Sequence, residues 1–403
     1  MRMHRRLNVV LAIAATVLPA CRDGEPTAPM DGAPAAAVEA EAAVAPPFLQ
    51  ISAGNTHSCG VTTANLAYCW GMNTFGNLGD GTAATRLAPA AVAGGLLFAD
   101  VRAGVTHSCG LTTGGRAYCW GQNDVGQLGN GTIPAGSGTP VAVAGNRRFI
   151  QLRVGFRHTC ALTAAGAAFC WGRNATGELG TGSNSGPETC DGLACSTRPV
   201  RVAGGHVFRQ VRAGGEHSCG LTEDRLAWCW GNNPFGQLGD GTVAARIKPV
   251  MVLGNHRFQQ FSAGGMHTCG VDREHRAWCW GRNEVGQVGD ASTLVRRRRP
   301  VAVAGGLAFG GVSAGTEHSC GTTTTDAVYC WGGNRFGQIG DGTGTDRFAP
   351  VKVTTTRTWK SVVAGWMHTC GITSADRAYC WGELTGDGTF EQRRTPVPVA
   401  PPS

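Results

Sequence analysis

One segment recurs seven times along this 403-residue chain, and it restricts the possible folds more than any other feature. Each copy has a His followed two residues later by a Cys, and a second Cys stands ten residues after the first. The seven histidines, His57, His107, His158, His217, His267, His318 and His368, are separated by 50, 51, 59, 50, 51 and 50 residues. Such a period with strand-forming content predicts a propeller or a solenoid.

The composition favours an all-β chain with many turns. The sequence has 62 glycines, its apolar residues alternate over short stretches, and long segments with a helical period are missing. The repeat runs without a break to the C-terminus, so we expect one folded domain over residues 48–400. The net charge of +8 is carried almost wholly by arginine, and it permits binding to anionic surfaces without requiring it.

The N-terminus has the pattern of a secretory signal. A basic start precedes a twelve-residue apolar run over residues 7–18, which is too short for a mature membrane span. The segment Leu18-Pro19-Ala20-Cys21 resembles the bacterial lipobox, in which the cysteine is acylated and becomes the mature N-terminus. We therefore predict a lipoprotein-type signal peptide over residues 1–20 and lipidation of Cys21, with ordinary cleavage near Ala20 as the alternative.

The segment after the signal is predicted to be a flexible tether. Residues 21–47 are rich in Ala, Pro, Gly and Glu and contain no aromatic residue. Such a segment cannot bury enough apolar surface to order itself. The signal and the tether together predict an exported protein in the periplasm, at the outer membrane or at the cell surface.

Cysteine usage also points to an oxidising compartment. Apart from Cys21 the chain has sixteen cysteines, and fourteen of them fall into pairs ten residues apart. The predicted disulfides are Cys59–Cys69, Cys109–Cys119, Cys160–Cys170, Cys219–Cys229, Cys269–Cys279, Cys320–Cys330 and Cys370–Cys380. Each closes a short loop, which chain-entropy reasoning values at roughly 2 to 3 kcal/mol. The third repeat is longer by about nine residues, and its additional Cys190 and Cys195 are predicted to pair as well.

Zinc binding is the alternative use of these residues. His57, Cys59 and Cys69 could supply three ligands from one side of a hairpin. The repeat offers no regular fourth ligand, however, and an exported protein meets an oxidising environment. We therefore predict disulfides, with no metal and no other cofactor. The repeated His is then expected to be structural, with one ring nitrogen bonded to the backbone.

Each repeat is expected to contain four strands, A to D, in which B and C form a hairpin with the two cysteines opposite each other. In the first repeat this register pairs Gly60 with Tyr68, Ser58 with Trp70, Val61 with Ala67 and His57 with Gly71. Both sides of the hairpin can then pack, as a blade between two neighbours requires.

The segment A-G-x-x-H-[ST]-C-[GA]-L-T, followed by A-[YFW]-C-W-G-x-N-x-x-G-Q-L-G-D-G-T, resembles the repeat of the regulator of chromosome condensation family. The resemblance covers all seven copies and implies a seven-bladed β-propeller of four-stranded antiparallel blades, with one disulfide per blade. The chain ends with another fourth-strand motif, Pro396-Val397-Pro398-Val399. We therefore expect the final or the first strand to close the ring by completing a blade shared between the termini.

Members of this family are known as exchange factors for a small nuclear GTPase, as modules of larger proteins and, in bacteria, as a secreted inhibitor that binds β-lactamase through a propeller face. The exchange activity depends on loop residues outside the repeat motif, so the resemblance assigns no exchange residue to this chain. An exported protein also has no access to a cytosolic GTPase.

Two groups of residues are candidates for binding. The two residues before each repeated His vary most between copies, and Phe156, Arg157, Met266, Trp366 and Met367 at these positions are predicted binding anchors. The alternative is that the apolar ones fill the mouth of the central channel. The second group is the run Arg296, Arg297, Arg298 and Arg299, which could bind an anionic polymer, a lipid headgroup or an acidic protein, or could be a solvated loop.

Catalysis finds little support, because the sequence has no nucleophile elbow, phosphate-cradling loop or zinc-protease helix. We predict a non-enzymatic monomer that binds a protein partner, does not bind nucleic acid and meets the membrane only through its lipid anchor. One alternative is an exchange factor-like GTPase regulator. The other is a carbohydrate-active enzyme in the central channel, which needs at least two convergent acidic or His groups.

Overall fold

The structure is a computed structural model, and it describes residues 45–133 and 135–402. Its strands form seven sheets, which confirms the prediction of an all-β propeller with seven four-stranded antiparallel blades. Within these two ranges no helix is long and apolar enough to cross a membrane. The predicted signal peptide, Cys21 and most of the predicted tether lie outside the described residues.

Strands A to D of each blade follow the chain, and blade 3 has one additional strand before its D strand. Blades 1 and 2 comprise β1 (Phe48–Ala53), β2 (His57–Thr62), β3 (Ala67–Gly71), β4 (Arg86–Ala91), β5 (Phe98–Ala103), β6 (His107–Thr112), β7 (Ala117–Gly121) and β8 (Ser137–Ala142). Blades 3 and 4 comprise β9 (Gln151–Val154), β10 (His158–Leu162), β11 (Ala168–Arg173), β12 (Glu188–Cys190), β13 (Leu193–Arg201), β14 (Phe208–Ala213), β15 (His217–Thr222), β16 (Ala227–Gly231) and β17 (Arg246–Met251). Blades 5 to 7 comprise β18 (Phe258–Ala263), β19 (His267–Asp272), β20 (Ala277–Arg282), β21 (Arg296–Ala302), β22 (Phe309–Ala314), β23 (His318–Thr323), β24 (Val328–Gly332), β25 (Arg347–Lys352), β26 (Trp359–Ala364), β27 (His368–Thr373), β28 (Ala378–Gly382) and β29 (Arg393–Pro398).

The ring closes without a shared blade. The final strand, β29, pairs with β28 of the same repeat, and blade 1 is complete from β1 to β4. The prediction of a blade shared between the termini was therefore wrong, because the first and the last repeat each supply all four of their own strands. Blades 7 and 1 meet side by side instead, with a hydrogen bond from Phe48 N to Asp376 O at 3.2 Å.

The B–C hairpins have the predicted register. In blade 1, Cys59 pairs with Cys69 and His57 stands opposite Gly71. Every blade carries the predicted disulfide between these two strands, with Cα–Cα distances of 4.0 to 4.1 Å. The additional pair Cys190–Cys195 is also bonded, and it lies in the β12–β13 hairpin that repeat 3 adds.

Strand A contributes an aromatic ring that the hairpin register alone does not include. A Cβ atom on Gly60 would lie 2.6 Å from Cδ1 of Phe48, so this glycine leaves room for the ring from strand A. The centre of the Phe48 ring then lies 6.1 Å from that of Trp70, and both side chains are fully buried. The repeat therefore keeps a small residue where the ring crosses the hairpin.

The apolar core lies between neighbouring blades. Trp120 of blade 2 packs into a cluster with Leu78 of blade 1, and its ring covers Gly79 of that blade. The φ of Gly79 is +74°, and a Cβ atom there would lie 2.6 Å from Nε1 of Trp120. Equivalent glycine–tryptophan contacts join each pair of neighbouring blades, and Gly386 with Trp70 completes the ring.

The repeated His also joins neighbouring blades. Nε2 of His57 lies 2.8 Å from Oγ of Ser108 in the next blade, and this hydroxyl donates to the carbonyl of Asn77 at 2.8 Å. Since the hydroxyl proton goes to the carbonyl, the imidazole donates from Nε2. The predicted bond from His to backbone was therefore wrong, because the partner is a side chain of the next repeat. The seven pairs are His57–Ser108, His107–Thr159, His158–Ser218, His217–Thr268, His267–Ser319, His318–Thr369 and His368–Ser58.

These histidines are neutral in the folded protein. Burial, assisted in most of them by neighbouring positive charge, lowers the pKa of six of them to about 3. Burial lowers the pKa of the seventh, His368, to about 4. A neutral imidazole has one N–H donor, which suits a single hydroxyl partner on the next blade.

Candidate binding face and central channel

The loops between strands fall on two opposite faces of the propeller. In blade 1 the A–B and C–D loops meet through a hydrogen bond from Met72 N to Thr56 O at 2.9 Å. The B–C and D–A turns meet through a bond from Phe98 N to Asn65 O at 2.8 Å. We call the first the loop face and the second the turn face, and all the predicted binding anchors lie on the loop face.

The long C–D loops are held by side chains of the repeat motif. In blade 1, Nδ2 of Asn73 donates to Thr82 O at 3.0 Å, and Oδ1 of Asn73 accepts from Leu78 N at 2.9 Å. Asp80 bridges to Arg86 at the start of the D strand, with 2.8 Å between Nε and Oδ2. The motif asparagine therefore acts through its side chain, and positive φ falls on other residues.

The arginine run belongs to the outer strand of blade 5. Arg297 bridges to Asp290, as Arg86 does to Asp80 in blade 1, so this member of the run stabilises its own loop. Arg296 donates weakly to the carbonyl of Pro234, and the run lies in β21. Arg298 and Arg299 are exposed in the same strand, and anion binding by these arginines stays a prediction.

Phe156 lies at the channel mouth on the loop face. Its backbone N donates to Gly215 O of blade 4 at 3.3 Å, and its half-buried ring lines a cavity of 360 Å³ together with Arg157 and Glu216. The side chain of Arg157 is 44% exposed and pairs with Asp124 at 3.5 Å. This position agrees with both predictions for Phe156, a binding anchor or a residue that fills the channel mouth, since a ring at the mouth can do both.

Trp366 forms a second aromatic site on this face. Its ring lies edge-on to Phe336 of blade 6, with 6.3 Å between ring centres, and Arg335 lies 4.5 Å above the Phe336 ring. The side chain of Arg335 is 61% exposed, and a weak contact of 3.9 Å links it to Glu317. The three side chains therefore form a packed cluster, and Arg335 is its solvent-exposed member.

The structure places Phe156, Met266 and the Trp366–Met367 pair in blades 3, 5 and 7. One blade lies between the first and second sites and between the second and third, and two blades lie between the third site and the first. All four are half-buried. Sequence reasoning missed Phe336, which comes from a C–D loop. A weaker signal was present, because the residue two positions after the motif asparagine is Phe, Val or Thr in the six copies that have this asparagine. These residues are Phe75, Val125, Thr176, Phe235, Val285 and Phe336.

The inner A strands surround a central channel. Near the loop face, small residues of all seven A–B loops enclose a cavity of 80 Å³. A wider chamber of 290 Å³ continues from this cavity into the channel. In each A strand it is lined by the residue immediately before the first residue that lines the smaller cavity. At that position the blades carry, in order, Ser52, Arg102, Arg153, Arg212, Ser262, Ser313 and Val363.

Three arginines and one carboxylate meet in this chamber. Asp100 forms an ion pair with Arg102 at 2.9 Å and accepts a hydrogen bond from Arg153 at 3.0 Å, and Nε of Arg212 donates to Phe261 O at 2.9 Å. Burial pushes the pKa of Asp100 upward, but the two arginines hold it below its ordinary value. Burial and the charges of its arginine neighbours lower the pKa of Arg153 well below its usual range, and burial with Arg102 lowers that of Arg212 to about 10.

The chamber does not meet the requirement for the channel-enzyme alternative. Among the described residues Asp100 is the carboxylate that forms ion pairs with these arginines, one through each of its oxygens. The seven repeated histidines do not converge in the chamber, because they are buried in the blade junctions. Elsewhere Glu188 approaches the sulfurs of Cys190 and Cys195, but the disulfide between these cysteines removes both thiolate ligands.

These features define a repeat propeller with a constant interlocked scaffold, a variable loop face and a charged channel. A family model described as the regulator of chromosome condensation (RCC1) repeat matches residues 65–111, 114–162, 165–221, 226–271, 274–321 and 325–372, and a second model of the same description matches seven shorter segments between residues 48 and 389. The chain belongs to the RCC1 repeat family.

Curated relatives and solved structures agree with this membership. The ultraviolet-B receptor UVR8 of Arabidopsis thaliana is 30% identical over 329 residues, which cover 78% of this chain and 72% of UVR8. Human HERC4, a probable E3 ubiquitin-protein ligase, is 39% identical over 92 residues, 23% of this chain, and the match spans only 8% of HERC4.

Two solved structures show the same fold. Human WBSCR16 has a TM-score of 0.74 at 20% identity, with 83% of this chain and 89% of that chain covered. Prp20p of Saccharomyces cerevisiae, described with its binding properties to Gsp1p and histones, has a TM-score of 0.68 at 22% identity, with 79% and 80% covered. At these identities the likeness shows the fold alone.

Proposed function

We propose that this protein is an exported, lipid-anchored propeller that binds a protein partner through its loop face and has no catalytic activity. The observation that carries the proposal is the open cluster of Arg335, Phe336 and Trp366 on loops that differ between blades. Tryptophan and arginine dominate the energetics of protein interfaces, and an aromatic pair beside an exposed guanidinium suits an apolar side chain flanked by acidic groups.

The relatives support partner binding as a common use of this fold. UVR8 is named a receptor, and Prp20p is described with binding to Gsp1p and histones and in a complex with Kap60. Those ligands belong to those proteins, since a shared fold does not transfer a partner. The exchange factor-like alternative rests on the family likeness, and no contact among the described loop-face residues favours it.

Export and anchoring are supported by the N-terminal pattern and by the chemistry of the folded domain. Eight disulfides persist only where thiols are not kept reduced, which favours a compartment outside the cytosol. Metabolic labelling with palmitate tests the anchor: the wild type should incorporate label and Cys21→Ser should not. Label that persists in Cys21→Ser would contradict lipidation at this residue.

The binding proposal is tested with Phe336→Ala/Trp366→Ala and affinity capture from envelope extract. We expect this variant to lose at least tenfold of the captured partner, because truncating a central aromatic pair costs about 2 kcal/mol or more. The matched control is Ile150→Ala, which removes a 65% exposed apolar side chain from the turn face and should capture the partner normally. Equal thermal midpoints would show that all three proteins are folded. Unchanged capture by the double variant would exclude this cluster as the binding site.

A further inference from the structure

The chamber wall differs between two groups of blades. In blades 1, 5 and 6 the lining residue is serine, and its Oγ accepts a backbone N–H from the next blade. The distances are 3.1 Å for Ser52 with Ala103 N, 3.1 Å for Ser262 with Ala314 N and 3.0 Å for Ser313 with Ala364 N. Blades 2, 3 and 4 replace this serine by arginine. The scaffold position is therefore satisfied by serine, and packing does not require the three guanidinium groups.

The arginines bring more positive charge than the chamber neutralises. Arg102, Arg153 and Arg212 carry three positive charges and Asp100 carries one negative charge, so the group has a net charge of +2. The side chains of Arg102, Arg153 and Asp100 keep 22%, 17% and 19% of their exposure, so they are in contact with the channel rather than sealed in the core. Like charges held this close repel each other and favour the entry of an anion.

The chamber also presents hydrogen-bond donors with few acceptors. Nε of Arg102 is buried and has no partner within the described residues. A serine hydroxyl whose oxygen accepts a backbone N–H still has its own proton to donate. Ser52, Ser262 and Ser313 are in this state, and they line the same chamber as the three arginines.

The volume suits a small ion. At about 30 Å³ per water molecule, 290 Å³ holds roughly ten waters. That is enough for a tetrahedral oxyanion with part of its hydration, and the ring of small A–B loop residues above it excludes bulky groups from that side. Two negative charges would balance the two positive charges that remain.

From this arrangement we infer that the central chamber is a binding site for a dianionic tetrahedral oxyanion of the phosphate or sulfate type, held by Arg102, Arg153 and Arg212. Guanidinium groups bind such oxygens with paired hydrogen bonds. The inference is independent of the partner-binding proposal, since none of these residues belongs to the Trp366 cluster.

Calorimetric titration of the full chain tests the site with inorganic phosphate, sulfate and acetate at constant ionic strength in a phosphate-free buffer. We expect one site that takes phosphate or sulfate, and at least tenfold weaker binding of the singly charged acetate. Arg153→Gln and Arg212→Ser should each weaken phosphate binding at least tenfold. Arg273→Gln, which removes an exposed arginine from the turn between β19 and β20, is the matched control and should bind as the wild type does.

Thermal midpoints measured without added anion show whether the arginines serve anion binding or the stability of the fold. Arg212→Ser installs the residue of blades 1, 5 and 6 and relieves repulsion, so its midpoint should equal or exceed that of the wild type. Asp100→Asn removes the competing carboxylate, so it should bind phosphate more tightly. The inference fails if phosphate binds the wild type and Arg212→Ser equally, if acetate binds as well as phosphate, or if no titration heat appears at millimolar phosphate.

Discussion

The junction that closes the ring differs from the six junctions inside it. The interior junctions join blades 1 to 7 in chain order, and the closing junction joins blade 7 to blade 1. In the interior junction between blades 1 and 2, Asn77 O accepts both Trp120 Nε1 at 3.0 Å and Ser108 Oγ at 2.8 Å. The same two bonds recur in every interior junction, on the carbonyls of Gln127, Glu178, Gln237, Gln287 and Gln338.

The closing junction keeps some of these contacts and loses others. His368 Nε2 still lies 2.7 Å from Ser58 Oγ, and Gly386 still lies under the Trp70 ring. Within the described residues, however, Nε1 of Trp70 has no acceptor. The buried apolar residue of the other C–D loops, such as Leu78, is replaced by the buried Thr385.

The difference follows from a deletion. The motif of repeat 7 is four residues shorter than that of repeat 6, so its loop no longer brings a carbonyl to the tryptophan of the next blade. The ring therefore closes with the same kind of contacts as the other junctions but with fewer of them. We expect the closing junction to be the first to open under stress.

Acidification should weaken the interior and closing junctions together, and it should reduce the stability more than any of the single substitutions described below. The folded protein holds the seven histidines at a pKa of about 3 to 4, against an ordinary value of 6.5. Stability is therefore complete above pH 6.5 and falls as the pH drops toward these lower values, by up to about 10 kcal/mol per pH unit for seven groups. Thermal melts by circular dichroism from pH 8 to pH 4 measure this loss.

The onset of the loss identifies its cause. Aspartates such as Asp80 and Asp341 have an ordinary pKa of 3.8, which their surroundings lower further, so they contribute only at more acidic pH. A decline that begins near pH 6 belongs to the histidines. A melting temperature that stays constant down to pH 5 would show that the imidazoles do not govern the junctions.

Filling the space under an interior tryptophan should have the next largest effect. Gly79→Ala would place a Cβ 2.6 Å from Trp120 Nε1 at a φ of +74°, and we expect a loss of about 2 to 4 kcal/mol from strain and overpacking. Gly95→Ala is the matched control, because its φ is +64° and nothing lies within 4 Å of a Cβ there. Urea denaturation should show a loss of only about 1 kcal/mol for the control, and equal losses would mean that the tryptophan contact adds nothing.

Removing the junction hydroxyl should have a smaller effect that separates the two kinds of junction. Ser108→Ala strands both the buried His57 N–H and one bond to Asn77 O, so we expect it to cost about 1 to 3 kcal/mol. Ser58→Ala at the closing junction breaks the bond to His368 but no bond to a loop carbonyl, so it should cost less. Denaturant midpoints of the two variants provide the measurement. A larger loss for Ser58→Ala would reverse the ranking of the junctions.

The fold could be predicted because the residues that determine the strand register of each blade lie within one repeat. The pairing of Cys59 with Cys69 fixes a register by strand geometry alone, and repetition at a constant spacing extends it to all blades. Contacts between repeats were harder to foresee. The partner of His57 is Ser108, which lies 51 residues further along the chain. The spacing of residues within one repeat does not show which side of the next blade His57 contacts.

The chamber was missed for a similar reason. Arg102, Arg153 and Arg212 occupy one position of three consecutive A strands, but a single strand does not show which of its faces points to the channel. Only the closed ring brings them together around Asp100. The loop-face cluster was found in part, because variability before the repeated His indicated Trp366, whereas its neighbour Phe336 comes from a loop that was read for turn chemistry.

The disulfides have a consequence for how the ring can recover from damage. Each of the eight joins two strands of the same blade, so within the described chain they cross no junction. Heat or denaturant can therefore separate the blades while every B–C hairpin stays covalently paired in register. Renaturation then requires preformed hairpins to associate side by side, which is a much smaller conformational search than pairing all 29 strands of the described residues from an unpaired chain.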